Sequence, residues 1–454
     1  MKVRMFSVLV SMFFAASAFA ADLRIATFNV DVTPPEGSAL CSGSVPPVRG
    51  VNDPLSARGL ILLPVGSDPI VIVSLDWVGI GNEGHTLFCE ALAKATGTNA
   101  AHVAVHAIHQ HDAPSCDFTV EALLEPQGLS GEAFNPVFAR EAIQRCADAA
   151  RAALFNAQPV THISTGKAKV EQVASNRRVM GADGKVEHVR WSATTDAAVR
   201  AAPEGIIDPW MRAVGFWNGD KPLVIATFYA THPQSYYRTG LVSADFPGMA
   251  RTMREADLPE AVHIHFNGAA GNVTAGKYND GAPENREVLA ERLHSGMQRA
   301  FDASTRVPVD GAKIAWNSRD VVLPLRPEID LAQEQAHLAD TSLSLAERLG
   351  AAHEIAWTSR VLGKAPITIG RLRLGAVQMI FMPAELFIEY QLAAQAMAPD
   401  DFVCMAAYGD YGPGYIGTAK SYPEGGYETQ LRTSRTAPEV EGVLMDAMRG
   451  LLKR

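Results

Sequence analysis

The sequence has few cysteines, and no pattern among them indicates how they would pair. The five cysteines include no Cys-x-x-Cys pair, their number is odd, and their spacing fits no dense disulfide framework. At most two disulfide bonds can form, and the sequence does not indicate which ones. A small scaffold held together by disulfides is therefore excluded.

The sequence also lacks a second long apolar stretch and an excess of positive charge. Beyond the amino-terminal segment, no run approaches the roughly 18 apolar residues that a membrane-spanning helix needs. Lys and Arg together number 40 against 49 Asp and Glu, which gives a formal net charge of −9. Nucleic-acid binding requires concentrated Lys and Arg, so we expect no nucleic-acid partner. The sequence gives no indication of the oligomeric state.

The amino terminus has the features of a secretory signal peptide. Lys2 and Arg4 precede an apolar run at residues 5–14, and residues 18–20 form a small-residue cleavage signal. The run is too short to cross a bilayer. We therefore predict a signal peptide at residues 1–20 and a mature domain at residues 21–454, exported to the periplasm or beyond.

Two common hydrolase motifs are absent. The chain contains neither the Gly-x-Ser-x-Gly nucleophile elbow nor His-Glu-x-x-His, which argues against a serine hydrolase and a zincin. Residues 271–277 have the spacing of a phosphate-binding loop, but Tyr278 stands where that loop needs Ser or Thr to bind Mg²⁺. We interpret this match as a coincidence.

Apolar runs and helical patterns alternate along the chain without a fixed repeat. They predict an α/β fold in which mixed β-sheets are flanked by helices in a single large catalytic domain. Strands are expected at residues 23–28, 160–164, 213–217, 223–229 and 262–266, and hairpins at 60–75 and 367–382. Helices are expected at residues 83–95, 138–155, 287–303, 330–362 (one or two) and 385–398, whereas 118–137 and 408–428 are interpreted as irregular.

Three histidines, His106, His109 and His111, follow an apolar run that contains Val103 and Val105 and is predicted to form a buried strand. Side chains two positions apart on a strand share a face, so His109 and His111 are expected to project into one site. Imidazole is a common zinc ligand, and two on one strand end would supply half of a tetrahedral shell. The alternative is that these histidines face solvent or fill the core.

Three further regions offer candidate ligands, each with a structural alternative. His232 follows an apolar run, where a structural role is about as well supported as a functional one. Glu385 lies where a helix is expected to begin, and a carboxylate there also complements the helix dipole. The tyrosines at residues 408, 411, 415, 422 and 427 stand among glycines and either line a binding site or cover an edge of the domain.

Seven short segments in one order resemble the neutral (non-lysosomal) ceramidase family. The segments are DVTPP at residues 31–35, HQHDAP at 109–114, NR at 176–177, THP at 231–233 with LVSAD at 241–245, GAAGNVT at 268–274, PAE at 383–385, and GYIGT at 414–418 with YE at 427–428. No single segment is specific, but their common order is. The resemblance covers most of the predicted mature chain.

The resemblance implies a Zn²⁺ cofactor, a lipid or other N-acyl amide substrate, and a set of site residues. The zinc ligands would be His109, His232, Glu385 and Tyr415. His111 would be the general base, Arg177 and Tyr427 would stabilise the oxyanion, and Thr274 would position substrate or water. The implied reaction is hydrolysis of ceramide to sphingosine and a fatty acid by zinc-activated water.

The chain departs from the family pattern close to the implied site. Thr274 replaces a Ser, Asn272 replaces an Asp, Asp112-Ala113 replaces Ser-Gly, and Ser115-Cys116-Asp117 replaces a Gly-Gly segment. The family's carboxy-terminal immunoglobulin-like domain has no expected counterpart. Two alternatives therefore stay open: a zinc amidase or esterase acting on another substrate, and a non-catalytic exported binding protein of the same fold.

Overall fold

Three large β-sheets form the framework of the molecule. The structure is a computed structural model that describes residues 22–453. The predicted signal peptide lies outside these residues. The strands are β1 (Leu23–Asp31), β2 (Gly50–Val51), β3 (Ser56–Pro64), β4 (Ile70–Leu75), β5 (Gly79–Ile80), β6 (Val103–Ala107), β7 (Ser115–Cys116), β8 (Gln158–Pro159), β9 (His162–Lys169), β10 (Ser175–Asn176), β11 (Arg178–Met180), β12 (Val186–Val189), β13 (Trp210–Asn218), β14 (Lys221–Tyr229), β15 (Leu241–Val242), β16 (Val262–Asn267), β17 (Val273–Thr274), β18 (Thr305–Pro308), β19 (Ile314–Val321), β20 (Ile367–Leu374), β21 (Val377–Phe381), β22 (Glu385–Leu386), β23 (Phe402–Ala406) and β24 (Tyr415–Ile416). The α-helices are α1 (Asn82–Thr96), α2 (Phe118–Leu124), α3 (Pro136–Ala153), α4 (Ala197–Ala201), α5 (Asp245–Asp257), α6 (Asn285–Asp302), α7 (Leu331–Ala339), α8 (Leu345–Leu362), α9 (Ile388–Met397), α10 (Ser421–Glu424) and α11 (Val440–Leu452).

Each large sheet is mixed and contains one parallel pair of strands. The strand orders are β6-β4-β3-β1-β8, β16-β14-β13-β9-β18 and β19-β20-β21-β23. The parallel pairs are β4 with β6, β14 with β16, and β21 with β23, whereas the other neighbours in these sheets are antiparallel. Mixed sheets of this kind account for both the predicted hairpins and the longer crossovers.

The inner faces of the three sheets meet in one shared apolar core. On β4, Ile70 and Ile72 point into this core, whereas the alternate residues Val71 and Val73 point to the other face. Both faces of the strand are therefore buried, which explains its continuous apolar sequence. Phe216 of β13 is fully buried in the shared core. Its truncation to alanine is expected to cost about 3–5 kcal/mol of folding free energy.

Helices cover the outer faces of the sheets. Helices α1, α2, α3 and α8 pack in the cluster on the outer face of the first sheet, α5 and α6 on the second, and α9 and α11 on the third. The prediction of mixed sheets flanked by helices is confirmed. No helix among residues 22–453 is long and apolar enough to cross a membrane.

A helical crossover joins each parallel pair: α1 between β4 and β6, α5 between β14 and β16, and α9 between β21 and β23. Loops at the carboxyl ends of parallel strands are where α/β proteins place their ligand sites. In this chain, each crossover unit contributes one such loop to a single region of the molecule.

Most predicted elements are present, and four predictions are corrected. Residues 408–428, expected to be irregular, contain strand β24 and the short helix α10. The hairpins of β3 with β4 and of β20 with β21 form as expected. Residues 118–137 are not irregular throughout, because Asp117 accepts hydrogen bonds from Thr119 N and Val120 N and begins helix α2. Strand β6 ends at Ala107, before His109, and helix α9 begins at Ile388, so Glu385 lies on the short strand β22 instead of in a helical turn.

Candidate metal centre and catalytic cavity

Loops from all three crossover units bring the candidate ligands together. His109 follows β6, His232 follows β14, and Glu385 follows β21 on strand β22. Strand β22 pairs in parallel with β24, which places Glu385 beside Tyr415. All four residues are buried.

His109 is held with one ring nitrogen facing the centre of the cluster. Its backbone is left-handed, with φ at 73°, so its position is set by a turn and not by strand alternation. Nδ1 lies 2.7 Å from the carbonyl oxygen of Val78 and donates its proton there. The proton is thereby fixed on Nδ1, and the unprotonated Nε2 is buried without a hydrogen-bond partner.

His232 is held in the same way from the second sheet. Its Nδ1 lies 2.8 Å from the carbonyl oxygen of Ala270 and donates to it. Burial lowers the pKa of His232 to about 4, so the ring is neutral near pH 7. The rings of His232 and His109 meet edge to face with centroids 4.8 Å apart.

Glu385 places one carboxylate oxygen between the two imidazoles. Oε2 lies 3.1 Å from His109 Nε2 and 3.2 Å from His232 Nε2. The other oxygen, Oε1, accepts a hydrogen bond from the Tyr411 hydroxyl at 2.6 Å. Burial alone would raise the pKa of Glu385, but the neighbouring His109 and His232 hold it well below its ordinary value.

Tyr415 completes a set of four oxygen and nitrogen atoms. Its hydroxyl lies 3.4 Å from His232 Nε2, and the two rings are stacked with an interplanar angle of 6°. A tetrahedral zinc ion with bonds of about 2.0–2.1 Å separates its ligand atoms by about 3.3 Å. Three of the six separations within this set are 3.1, 3.2 and 3.4 Å, and they are compatible with that geometry. The residues present therefore fit a bound metal ion.

His111 lies beside the ligand set, in contact with different partners. Its ring centroid is 4.9 Å from that of His109 and 5.8 Å from that of His232. Nδ1 contacts Gln234 Nε2 at 3.2 Å and Cys41 Sγ at 3.7 Å, whereas Nε2 is buried without a hydrogen-bond partner. Burial and the two neighbouring histidines hold the pKa of His111 well below its ordinary value.

A buried ion-pair network holds Arg177 against the tyrosines. Glu428 Oε1 accepts from Arg177 Nε, and Glu428 Oε2 accepts from Arg178 Nη1 at 3.1 Å. The Arg177 Cζ atom lies 4.9 Å from the ring centroid of Tyr415 and 5.4 Å from that of Tyr427. Arg177 Nη2 is buried without a hydrogen-bond partner. One donor of a fixed cation is thus free to bind a ligand atom.

Thr274 is placed apart from this group. Its hydroxyl lies 3.3 Å from the carbonyl oxygen of Arg190 and accepts from Gly276 N at 3.1 Å. Thr274 pairs with Ser175 in the two-stranded sheet immediately before Arg177. The phosphate-loop interpretation of residues 271–277 has no support, since Lys277 Nζ donates to the backbone carbonyl groups of Arg200 and Ala202.

A cavity of about 320 Å³ opens onto the cluster. His111, Glu385, Tyr411, Tyr415 and Tyr427 contribute to its wall. The sequence assigns no individual role to three residues that contact the site, namely Tyr411, Glu428 and Gln234. Tyr411 belongs to the tyrosine-rich segment and Glu428 to the YE segment, so both carried a weak signal, whereas nothing in the sequence marked Gln234.

The fold and site define an α/β protein of three mixed sheets with a buried histidine cluster that is compatible with a metal ion. A search of solved structures finds similar folds. One is a ceramidase complexed with C2, at 17% sequence identity and a TM-score of 0.67, covering 95% of this chain and 75% of that one. Another is the neutral ceramidase of Pseudomonas aeruginosa, at 16% identity and a TM-score of 0.67, covering 96% of this chain and 75% of that one. No protein-family model and no curated protein matches the sequence. At this level of identity, the likeness establishes the fold.

Proposed function

We propose that this protein is a zinc-dependent hydrolase of N-acyl amide bonds, with ceramide as its substrate. The observation that carries the proposal is the position of Glu385 Oε2, which lies 3.1 Å from His109 Nε2 and 3.2 Å from His232 Nε2. The carbonyl oxygens of Val78 and Ala270 hold the ring protons of His109 and His232 on Nδ1. Two lone pairs and a carboxylate oxygen then face one another, an arrangement that a bound cation stabilises.

The ligand chemistry favours Zn²⁺ among common metals. Two imidazoles, one carboxylate and one phenol oxygen form a small set suited to tetrahedral coordination, whereas Ca²⁺ and Mg²⁺ require six or more oxygen ligands. When bound in such a site, Zn²⁺ acts as a Lewis acid and lowers the pKa of a water molecule to about 7.

His111 is assigned the proton transfers. Its Nε2 is buried near the ligand set and is not engaged by any described residue. A neutral imidazole can take the proton of the attacking water and then give it to the departing amine nitrogen. The amide C–N bond breaks, the carbonyl carbon receives the hydroxyl group, and the products are a carboxylic acid and an amine.

Arg177 and Tyr427 are assigned to the negative charge that develops on the carbonyl oxygen. Arg177 carries a free donor at Nη2, and its guanidinium lies between Glu428 and the rings of Tyr415 and Tyr427. Fixed donors of this kind stabilise a tetrahedral oxyanion. We assign Thr274 to positioning Arg177 through the β10–β17 pair, because its hydroxyl is occupied by backbone groups.

The test combines metal analysis with hydrolysis of a fluorescent N-acylsphingosine. His109→Ala is expected to lose both the metal and the activity. His111→Ala is expected to keep the metal and to lose activity by about 10²–10⁴-fold, the usual contribution of general acid–base catalysis. His188→Ala is the matched control, because the His188 side chain is 55% exposed and pairs with Glu187, not with a residue of the cluster.

The outcomes separate the alternatives. Undiminished activity in His111→Ala would remove its assigned role. Hydrolysis of other amides or esters, but not of ceramide, would favour an amidase or esterase that uses the same ligands. Stoichiometric zinc without turnover of any amide or ester would favour a non-catalytic binding protein. The proposed export is tested by cell fractionation, and recovery of the protein in the periplasmic fraction or in the medium would support it.

A further inference from the structure

Gln234 connects the candidate metal ligand His232 to the proposed proton carrier His111. One proline separates it from His232, and Gln234 N donates to the His232 carbonyl oxygen at 3.1 Å. Because proline fixes its own φ, this short turn holds Gln234 beside the ligand. The Gln234 side chain then reaches the other histidine, where its amide nitrogen Nε2 lies 3.2 Å from His111 Nδ1.

The ring nitrogens of His111 have few other partners. Cys41 Sγ lies 3.7 Å from Nδ1, and a thiol is only a weak hydrogen-bond donor. Within residues 22–453, His111 Nε2 is buried and has no hydrogen-bond partner. The Gln234 amide is therefore the polar group that decides whether Nδ1 of His111 carries a proton.

Ser192 sets the orientation of that amide. Its hydroxyl donates to Gln234 Oε1 at 2.6 Å, so the amide oxygen is occupied and the amide nitrogen faces His111. Asn279 Nδ2 donates to the Ser192 carbonyl oxygen at 2.9 Å, and both of these residues are buried. An amide nitrogen only donates, so Nδ1 of His111 accepts. The neutral His111 ring then carries its single proton on Nε2.

The two candidate ligand histidines have the opposite arrangement. The carbonyl oxygens of Val78 and Ala270 accept from Nδ1 of His109 and His232, which leaves their Nε2 atoms unprotonated. A backbone carbonyl group only accepts, so these two tautomers are fixed. His111 has a side-chain amide at Nδ1 instead, and an amide contains both a donor and an acceptor. The tautomer of His111 is therefore adjustable.

A half-turn of the Gln234 amide reverses the tautomer without the loss of a hydrogen bond. Oε1 would accept from His111 Nδ1, and Nε2 would donate to Ser192 Oγ, because a hydroxyl group both donates and accepts. The proton exchange is balanced by water, since Nδ1 takes one proton from water and Nε2 returns one. His111 Nε2 then has the lone pair that a general base requires, and Oε1 stabilises the imidazolium ion that forms when Nε2 takes a proton.

We infer that Gln234 is a positioning residue that sets the tautomer of His111, and that its amide turns before His111 acts as a base. The catalytic part of this inference rests on the proposed amide hydrolysis, whereas the tautomer itself does not. The observed orientation is a resting state in which His111 Nε2 is protonated. Turnover starts from the other orientation.

The tautomer is measured by NMR of the metal-loaded protein labelled with ¹⁵N-histidine, in which protonated and unprotonated ring nitrogens have different chemical shifts. In the wild type we expect the His111 proton on Nε2. Gln234→Glu offers only acceptors, so its His111 proton is expected on Nδ1. The His111→Ala spectrum identifies the signals, and metal content reports that each variant is folded. A protonated Nδ1 in the resting wild type, or an unprotonated Nδ1 in Gln234→Glu, would overturn the inference.

The catalytic part is tested by kcat and KM on an N-acyl amide. Gln234→Met keeps the size of the side chain and removes both hydrogen-bonding atoms. Its kcat is expected to fall at least about tenfold with KM nearly unchanged, because the ring loses its acceptor as charge develops on it. Gln234→Glu, which restores an acceptor at Nδ1, is expected to exceed Gln234→Met in kcat at least about fivefold. Equal kcat values for these two variants would overturn the inference.

Gln144→Met is the matched control, because Gln144 is exposed on helix α3 and its Nε2 contacts Asp148. It is expected to keep the wild-type kcat and the wild-type tautomer of His111. Equal losses of kcat in Gln144→Met and Gln234→Met would remove the specific role of Gln234.

A failure of the proposed function is distinguishable from a failure of this inference. If the wild type hydrolyses no amide or ester, the proposed function fails, and the ¹⁵N spectra of wild type and Gln234→Glu still decide the tautomer. If the wild type hydrolyses amides but Gln234→Glu has the wild-type tautomer, this inference fails alone.

Discussion

The Tyr411 hydroxyl donates a hydrogen bond to Glu385 Oε1 at 2.6 Å. The bond occupies the carboxylate oxygen that faces away from the histidines and leaves Oε2 directed at them. Partners of metal ligands fix the orientation of those ligands and typically change metal affinity by 10–100-fold. Tyr411 is therefore a support of the candidate metal centre.

Removal of this hydroxyl should weaken metal binding without unfolding the protein. Tyr411→Phe is expected to lower zinc affinity by about 10–100-fold, measured by competition with a chromogenic chelator. Tyr422→Phe is the control from the same segment, because the Tyr422 hydroxyl contacts Ser434 and Thr436 and not the cluster. Equal zinc affinities for the two variants would contradict the assigned support.

Glu428 should affect turnover through Arg177. Glu428→Gln leaves Arg177 and Arg178 without the carboxylate they share. We expect kcat to fall by more than KM rises, with zinc content unchanged, because the affected interaction strengthens as the oxyanion forms.

The neighbouring Glu424 provides the comparison. Glu424 Oε2 pairs with Arg178 Nη2 at 3.2 Å, and it has no contact with Arg177 among the residues described. Glu424→Gln should therefore spare kcat. If Glu428→Gln and Glu424→Gln lose kcat equally, these ion pairs have a general structural role, and Glu428 does not act on turnover specifically through Arg177.

The buried pair of Asp76 and Arg251 should govern part of the acid stability. Burial alone would raise the pKa of Asp76, but two hydrogen bonds of 2.7 and 2.8 Å and the charge of Arg251 hold it below its ordinary value of 3.8. A depressed carboxyl pKa contributes stability that is complete above the unfolded pKa and is lost as the pH falls through the folded pKa. The loss should therefore begin below about pH 4.

Asp76→Asn is expected to lower the free energy of unfolding by about 3–5 kcal/mol at pH 7, because it leaves Arg251 buried without its partner. In urea titrations, its difference from the wild type should shrink as the pH falls below about 4. Asp148→Asn, which removes an exposed pair with Arg151, should change stability by less than about 0.5 kcal/mol. A constant difference between wild type and Asp76→Asn from pH 7 to pH 3 would contradict this account.

All five cysteines are free thiols. Four of them are buried, and only Cys41 is partly accessible, in the wall of the catalytic cavity. We expect that a reducing agent will not change the melting temperature. A thiol reagent should count five reactive groups in denaturant and at most one in the folded protein. Fewer than five groups in denaturant under non-reducing conditions would indicate a disulfide.

The elements that could be predicted from the sequence are those whose pattern is local. The strands β3, β4, β20 and β21 are apolar runs separated by glycine-containing turns, and both hairpins formed as expected. The helix α2 was missed because it is one short helix whose start depends on the Asp117 side chain. The sequence predicts a helix start at Glu385 because the strand partner of Glu385, Tyr415, is not adjacent in the chain.

Part of the candidate site could be predicted from the sequence, one pair of residues from its spacing and another pair from the family resemblance. The spacing of His109 and His111 predicts that they share a site, although a left-handed backbone at His109, and not a strand, sets the position of that residue. Glu385 and Tyr415 were singled out only by resemblance, since each has an ordinary structural explanation. Contacts such as that of Gln234 with His111 join residues distant in sequence, so no local pattern reveals them.

The three crossover units each contribute one ligand-bearing loop, and this has a consequence for assembly. His109, His232 and Glu385 come together only when all three sheets have packed on their shared core. A partly folded chain would lack at least one of these ligands, so tight metal binding should be among the last events of folding. The bound ion would then link the three crossover units and preferentially stabilise the completed fold.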